Sequence, residues 1–315
     1  MTASAPPPDC LARPRDFDAR YGDGIQLGLC LGGGGLFFVA WQLSYLHEMA
    51  ERGIDLSVAD RVVGTSAGAL VASAVTADRL SLLYRELTVL AKAPKVIGAL
   101  APSDDLHPSQ VRALELFRAA GDAHPETVRA IGHAALAART PPTPVMARTI
   151  GLVLAMRKWP SSSLDLTCTD AYSGERCVIT EAANIGIGRA VAASSAVPGL
   201  FAPQPIGDRR CMDGAVSGSG THLDLLAGSG RVVVLALTDG TGIVEGIMTT
   251  GPGETEKEHA ALEATGTSVF RRVPRDVDPF TLMDPKAVPL AIEMGQRQAD
   301  EDADELRSFL GSSRA

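Results

Sequence analysis

A chain of 315 residues, 45% apolar and 21% charged, has the length for one large domain or two small ones and the apolar content for a substantial core. Its net charge of -8 argues against nucleic acid as a partner and against an anionic membrane held by bulk charge, which leaves only a local basic patch for such contacts. Five cysteines at scattered positions make neither a disulfide framework nor a CxxC metal pattern, so a reducing, cytoplasmic setting is expected.

Residues 1–24 are Pro-rich and polar and lack the basic and apolar regions of a secretory signal, which predicts a loose leader. No run approaches the ~18 apolar residues of a spanning helix, so any membrane contact is expected to be peripheral. "IQLGLCL" (25–31) reads as a buried strand ending in four glycines, Gly32 to Gly35. "LFFVAWQLSYLHEMAERGI" has helical apolar spacing with Gly53 as its stop, "RVVG" (61–64) is a second strand, and "SAGALVASAVTADRL" is a helix of small residues. This alternation is the rhythm of an α/β layer fold. From about 78 to 160 the pattern turns helical with Pro-rich breaks, predicting a helical insertion or lid. "LDLTCTD" and "RCVIT" predict a hairpin, "RVVVLALTDG" and "TSVFRRV" two further strands, and "PKAVPLAIEMGQRQADEDADELRSFL" a closing helix with a solvated acidic face. The expected organisation is a single domain over 25–315 behind the leader.

Two stretches carry chemistry. In "VVGTSAGAL", Gly64, Ser66 and Gly68 form G-x-S-x-G between a predicted strand and a predicted helix. Such a turn needs glycine at its flanks and projects the serine hydroxyl at a helix N-terminus, where developing negative charge is favoured. The plain alternative is a strand-to-helix turn with a capping serine. The glycine run has a cost in chain entropy that a function must offset. Amides of Gly33, Gly34 and Gly35 at the start of a helix would point at a carbonyl oxygen as it gains charge. A dinucleotide loop fits poorly, because Phe37 and Phe38 occupy the later positions of G-x-G-x-x-G, and the Walker pattern is missing.

The proton acceptor has two readings. His222 or His259 would complete a Ser, Asp/Glu, His order, although neither has a distinctive context. The other reading needs only a carboxylate near the serine, and "CMDGAVSGSG" offers Asp213, followed by Gly214; an Asp-Gly pair is also an ordinary turn.

The glycine-rich turn, then "GTSAG" one βα unit later, then "DGA" far downstream together resemble the patatin-like phospholipases, with their G-G-G-x-R/K-G, G-x-S-x-G and D-G-G/A motifs. "ADRVVGTSAGAL" is similar to the family's nucleophile block and "AVAASSAVPGLFAPQPIGDRRCMDGAVSG" to its approach to the aspartate, and bacterial, actinobacterial-type members look most alike. The resemblance implies a three-layer α/β fold with a mainly parallel central sheet flanked by helices. It further implies hydrolysis of acyl esters of lipids, with no cofactor or metal, by a dyad of Ser66 as nucleophile and Asp213 as base. Gly33 to Gly35 would be the oxyanion hole. The chain departs from the pattern at Phe37 and Phe38, where the family commonly has Arg or Lys followed by Gly. A catalytically weak member that binds an acyl chain or a protein partner is therefore the alternative. Phe37, Phe38 and Trp41 have two readings, as an acyl pocket or as helix core.

Overall fold

Short apolar runs next to glycines form the central strands of the sheet, Leu27–Leu31, Arg61–Gly64 and Arg231–Leu235, and helices form between strands. The computed structural model describes residues 11–93, 105–239, 249–275, 277–278 and 281–311. It begins with β1 (Leu11–Ala12), β2 (Leu27–Leu31), α1 (Gly35–Glu51), β3 (Arg61–Gly64) and α2 (Ala67–Thr76). Helices α3 (Leu80–Leu90), α4 (Pro108–Arg118), α5 (Pro125–Ala137) and α6 (Thr143–Val153) occupy the block expected as an insertion. The chain re-enters the sheet through β4 (Leu164–Asp170) and β5 (Arg176–Ile179), the expected antiparallel hairpin, and continues with α7 (Ile187–Ser194), β6 (Gln204–Ile206) and β7 (Arg209–Asp213). It ends with β8 (Arg231–Leu235), α8 (Glu254–Ala264), β9 (Ser268–Arg272) and α9 (Val288–Gly311). Residues 1–10 of the expected leader and 94–104 of the expected insertion lie outside the described residues.

Strands β4, β3, β2, β8 and β9 lie side by side in that order, all parallel. Covered on both faces, β2, β3 and β8 read as continuous apolar runs rather than alternating ones. Leu29, Leu31, Val62 and Val233 pack into the main core with α1, α2 and α9. Their neighbours Cys30, Val63, Val232 and Val234 face the opposite layer, built from Leu223 to Ala227 and Leu262 of α8. This is a three-layer α/β architecture.

One edge of β4 decides where the site forms. Cys168 pairs with Cys177 of β5 on one side and with Asp213 of β7 on the other, so β7 lies on the edge that β3 also uses. β3 leaves that edge at Gly64, opposite Leu166, and antiparallel β7 arrives with Asp213 opposite Cys168. The C-terminal ends of two strands distant in sequence thus meet two residues apart along β4, about 7 Å at strand rise.

Helix α1 is clamped by α9. Trp41 Nε1 donates to Gln298 Oε1 at 2.8 Å, and Ser44 Oγ donates to the Ile292 carbonyl at 2.8 Å. The acidic run of α9 is mostly solvated as expected, but Asp302 is buried and accepts from Tyr45 Oη at 3.1 Å and from Arg272 Nε. Among the described residues no helix is long and apolar enough to cross a membrane.

Residues 11–24 differ from the expected loose leader. β1 pairs with β5, and the buried Arg176 guanidinium donates to the Arg13 carbonyl at 2.8 Å and the Pro14 carbonyl at 2.9 Å. The same guanidinium forms a two-pronged pair with buried Asp224, at 2.6 and 2.8 Å. Composition indicated a free segment because its anchors come from distant parts of the chain.

Candidate active site

Between β3 and α2 the chain turns over two residues, Thr65 and Ser66, and Ser66 absorbs the turn at φ 52°, ψ -116°. Such a left-handed position costs a residue with a Cβ about 1–3 kcal/mol, so the surroundings must hold it. The flanking glycines make the turn sterically feasible. A Cβ on Gly68 would collide with the Leu31 carbonyl, and one on Gly64 would lie 2.8 Å from Ala69 Cα. Two serines at the end of α7 grip the strained residue. Ser66 N–H donates to Ser194 Oγ at 2.9 Å, and Ser195 Oγ donates to the Ser66 carbonyl at 3.0 Å.

From this turn Ser66 Oγ donates to Asp213 Oδ2 at 2.6 Å. The serine is 8% exposed and the aspartate 2%, so both members of the pair are buried. Burial raises the Asp213 carboxyl to about 6, against the opposing effects of its hydrogen bonds from Ser66 and from the Ala215 amide. The Ala215 amide occupies Oδ1 at 2.9 Å, which leaves Oδ2 for the serine proton. The backbone of Asp213 is pinned as well. Its N–H donates to the Ala196 carbonyl at 3.0 Å, and Thr169 Oγ1 donates to its carbonyl at 3.0 Å.

The glycine loop runs alongside, and a Cβ on Gly33 would lie 3.3 Å from Ser66 Cβ. Its three expected oxyanion amides are not equivalent. Gly33 N–H is already spent on the Gly220 carbonyl at 2.9 Å, which departs from the expectation for that residue. Among the described residues, the amides of Gly34 and Gly35 have no protein acceptor, as befits the first turn of a helix without a side-chain cap. Gly35 has φ +69°, and a Cβ there would meet the Leu282 carbonyl at 2.7 Å, so this position requires glycine.

Phe37, Phe38 and Trp41 are core residues of α1 rather than the lining of an acyl pocket. Phe38 and Trp41 stack at 5.3 Å, and Trp41 and Tyr45 at 5.4 Å. Extended Gly34 makes room for the Phe38 ring, which fills the space a Cβ on Gly34 would need. The histidine readings find no geometry. His222 Nε2 donates to the Gly214 carbonyl at 3.2 Å, and burial lowers its pKa well below the usual range, keeping it neutral. His259 on α8 is lowered to about 4, again mainly by burial. Ser66 Oγ is bonded to neither. Among the described residues no cluster of His, Cys, Asp and Glu is arranged to hold a metal.

The profile of the patatin-like phospholipases matches residues 29–226, more than half of the chain, and takes in the glycine loop, the Ser66 turn and Asp213. The chain belongs to the patatin-like phospholipase family. Its α/β sheet with flanking helices is the family's fold. Two solved structures are similar to it at low identity. VipD from Legionella pneumophila is 13% identical with a TM-score of 0.42, over 89% of this chain and 66% of VipD. The type III effector protein ExoU is 19% identical with a TM-score of 0.32, over 90% of this chain and 54% of ExoU. This chain therefore spans less than two thirds of either. No curated protein matched the sequence.

In this patatin-like chain, Ser194, Ser195 and Thr169 are supports that sequence reasoning missed. The "AASSAVPG" segment was legible as part of the family's approach to the aspartate, but nothing in its spacing placed two hydroxyls against the Ser66 backbone. Only the packing of α7 beneath the turn does so.

Proposed function

We propose that this chain is a serine hydrolase that cleaves acyl esters of lipids through a Ser66–Asp213 dyad. The observation that carries the reading is the 2.6 Å hydrogen bond from Ser66 Oγ to a buried carboxylate whose pKa is raised to about 6. An ordinary carboxylate is a feeble base toward a hydroxyl; a desolvated one placed on the hydroxyl is better matched to the task.

Ser66 Oγ attacks the acyl carbonyl carbon as its proton passes to Asp213 Oδ2. The carbonyl oxygen gains the negative charge and is met by the amides of Gly34 and Gly35 at the positive end of α1. Collapse of the tetrahedral adduct breaks the ester C–O bond, and the departing alcohol takes the proton from Asp213. The acyl group remains on Ser66. Water then attacks the acyl-enzyme, gives its proton to Asp213, and the fatty acid leaves as the proton returns to Ser66.

Intact mass after incubation with a serine-directed fluorophosphonate tests the reading, comparing the parent chain with Ser66→Ala and Asp213→Asn. The expected result is one adduct per parent chain and none on either variant. A folded parent chain that takes no label would overturn the reading in favour of an acyl-binding protein without turnover.

A further inference from the structure

The chain is acidic overall, at -8, yet between Glu126 and Asp165 it has four arginines and one lysine and no acidic residue. Helix α6 lies inside this stretch and is the one described α-helix without a single buried residue. It rests on α7 through small residues, and a Cβ on Gly188 would meet the Ala147 carbonyl at 2.5 Å and Gly151 N at 3.1 Å. With Ala147 and Gly151 turned inward, helical periodicity places Val145, Arg148 and Leu152 on the outer side. Val145 is 52% exposed and Leu152 80%. Arg157 and Lys158 follow in the exposed turn, beside half-buried Trp159. Among the described residues none of these three cations forms an ion pair, whereas elsewhere on the surface arginines are commonly paired with carboxylates.

Exposed apolar side chains flanked by unpaired cations form the pattern of a helix that lies in a bilayer surface. We propose that the outer face of α6, with Val145, Leu152, Arg148, Arg157 and Lys158, docks this protein on an anionic lipid surface; the proposal rests on the acyl-ester reading above and names where its substrate is met. Charge decides the occupant. A local basic face on an acidic protein is drawn to anionic headgroups, while the rest of the molecule is repelled, so docking is oriented. It also sets the substrate close to the site, because α6 is carried by α7, whose last residue, Ser194, accepts the Ser66 amide proton.

The test is sedimentation of the full chain bearing Ser66→Ala, which leaves the lipid intact, with vesicles of equal parts phosphatidylcholine and phosphatidylglycerol, and with phosphatidylcholine alone. Binding is expected on the anionic vesicles only and should weaken with salt. Arg148→Glu/Arg157→Glu/Lys158→Glu should weaken it by at least about fivefold per residue changed, and Val145→Ser/Leu152→Ser should weaken it without changing its salt dependence. In the Ser66 background both sets should retain hydrolysis of a short, water-soluble ester and lose hydrolysis of vesicle lipid, which also shows that they fold. Equal binding to neutral vesicles, parent-like binding by both sets, or parallel loss of soluble-ester hydrolysis would overturn the docking surface. The two proposals fail separately. Fluorophosphonate labelling without vesicle binding removes the docking surface alone, and vesicle binding through α6 without labelling removes the dyad alone.

Discussion

Replacing Asp213 by asparagine should make this protein more stable at neutral pH while abolishing its reactivity. Burial raises the carboxyl from 3.8 to about 6, and holding it ionised in the folded state at neutral pH therefore costs about 3 kcal/mol. Asparagine has nearly the same shape. Its Oδ1 continues to accept the Ala215 amide, and its Nδ2 donates to Ser66 Oγ, so both hydrogen bonds are replaced while the charge is removed. Between about pH 4 and about pH 6 the native state keeps a proton that the unfolded chain has released. Wild-type stability therefore falls as pH rises through that window, by about 1.4 kcal/mol per pH unit relative to the variant. Urea unfolding at unit steps from about pH 4 to about pH 8 measures the difference. The variant should match the wild type at the acid end and exceed it by up to about 3 kcal/mol above about pH 6. A variant that is less stable by a constant amount at every pH would refute the argument, because it would mean that burial does not burden the ionised carboxylate.

The same carboxyl should govern the rate, with kcat/KM for a soluble ester rising as pH increases to a plateau above about 6 as Asp213 becomes able to accept a proton. A profile with no limb near that value would count against Asp213 as the base. Ser194→Ala removes the acceptor of the Ser66 amide and should cost about 1–3 kcal/mol in urea unfolding. It should lower kcat about tenfold to a hundredfold with little change in KM, through loss of nucleophile geometry; an unchanged kcat would show that the turn is held without it. Gly35→Ala forces a Cβ into a φ of +69° against the Leu282 carbonyl. It should destabilise the fold by about 1–3 kcal/mol and slow fluorophosphonate labelling, whereas labelling at the parent rate would separate the Gly35 amide from the oxyanion hole.

Much of this protein is written locally. The strands Leu27–Leu31, Arg61–Gly64 and Arg231–Leu235 are short apolar runs ended by glycine or polar residues, and α1 and α9 bury faces with helical spacing. Ser66 was legible because a strand-to-helix turn this tight requires glycine at Gly64 and Gly68, and steric demands within a few residues leave a mark on local sequence. Asp213 was legible as a candidate only through motif order, since an Asp-Gly pair has the chemistry of an ordinary turn.

Tertiary structure decided whatever depends on partners far along the chain. The edge of β4 that receives both β3 and β7 brings Ser66 and Asp213 within 2.6 Å, and burial then shifts the carboxyl. Packing spent the Gly33 amide on Gly220, left those of Gly34 and Gly35 open, and turned Phe37, Phe38 and Trp41 into the core. It also anchored Arg13 and Pro14 with Arg176 and set Ser194 and Ser195 against the Ser66 backbone. Local sequence encodes what neighbouring residues can do to one another; register, desolvation and the allocation of each amide follow only when distant segments share one space.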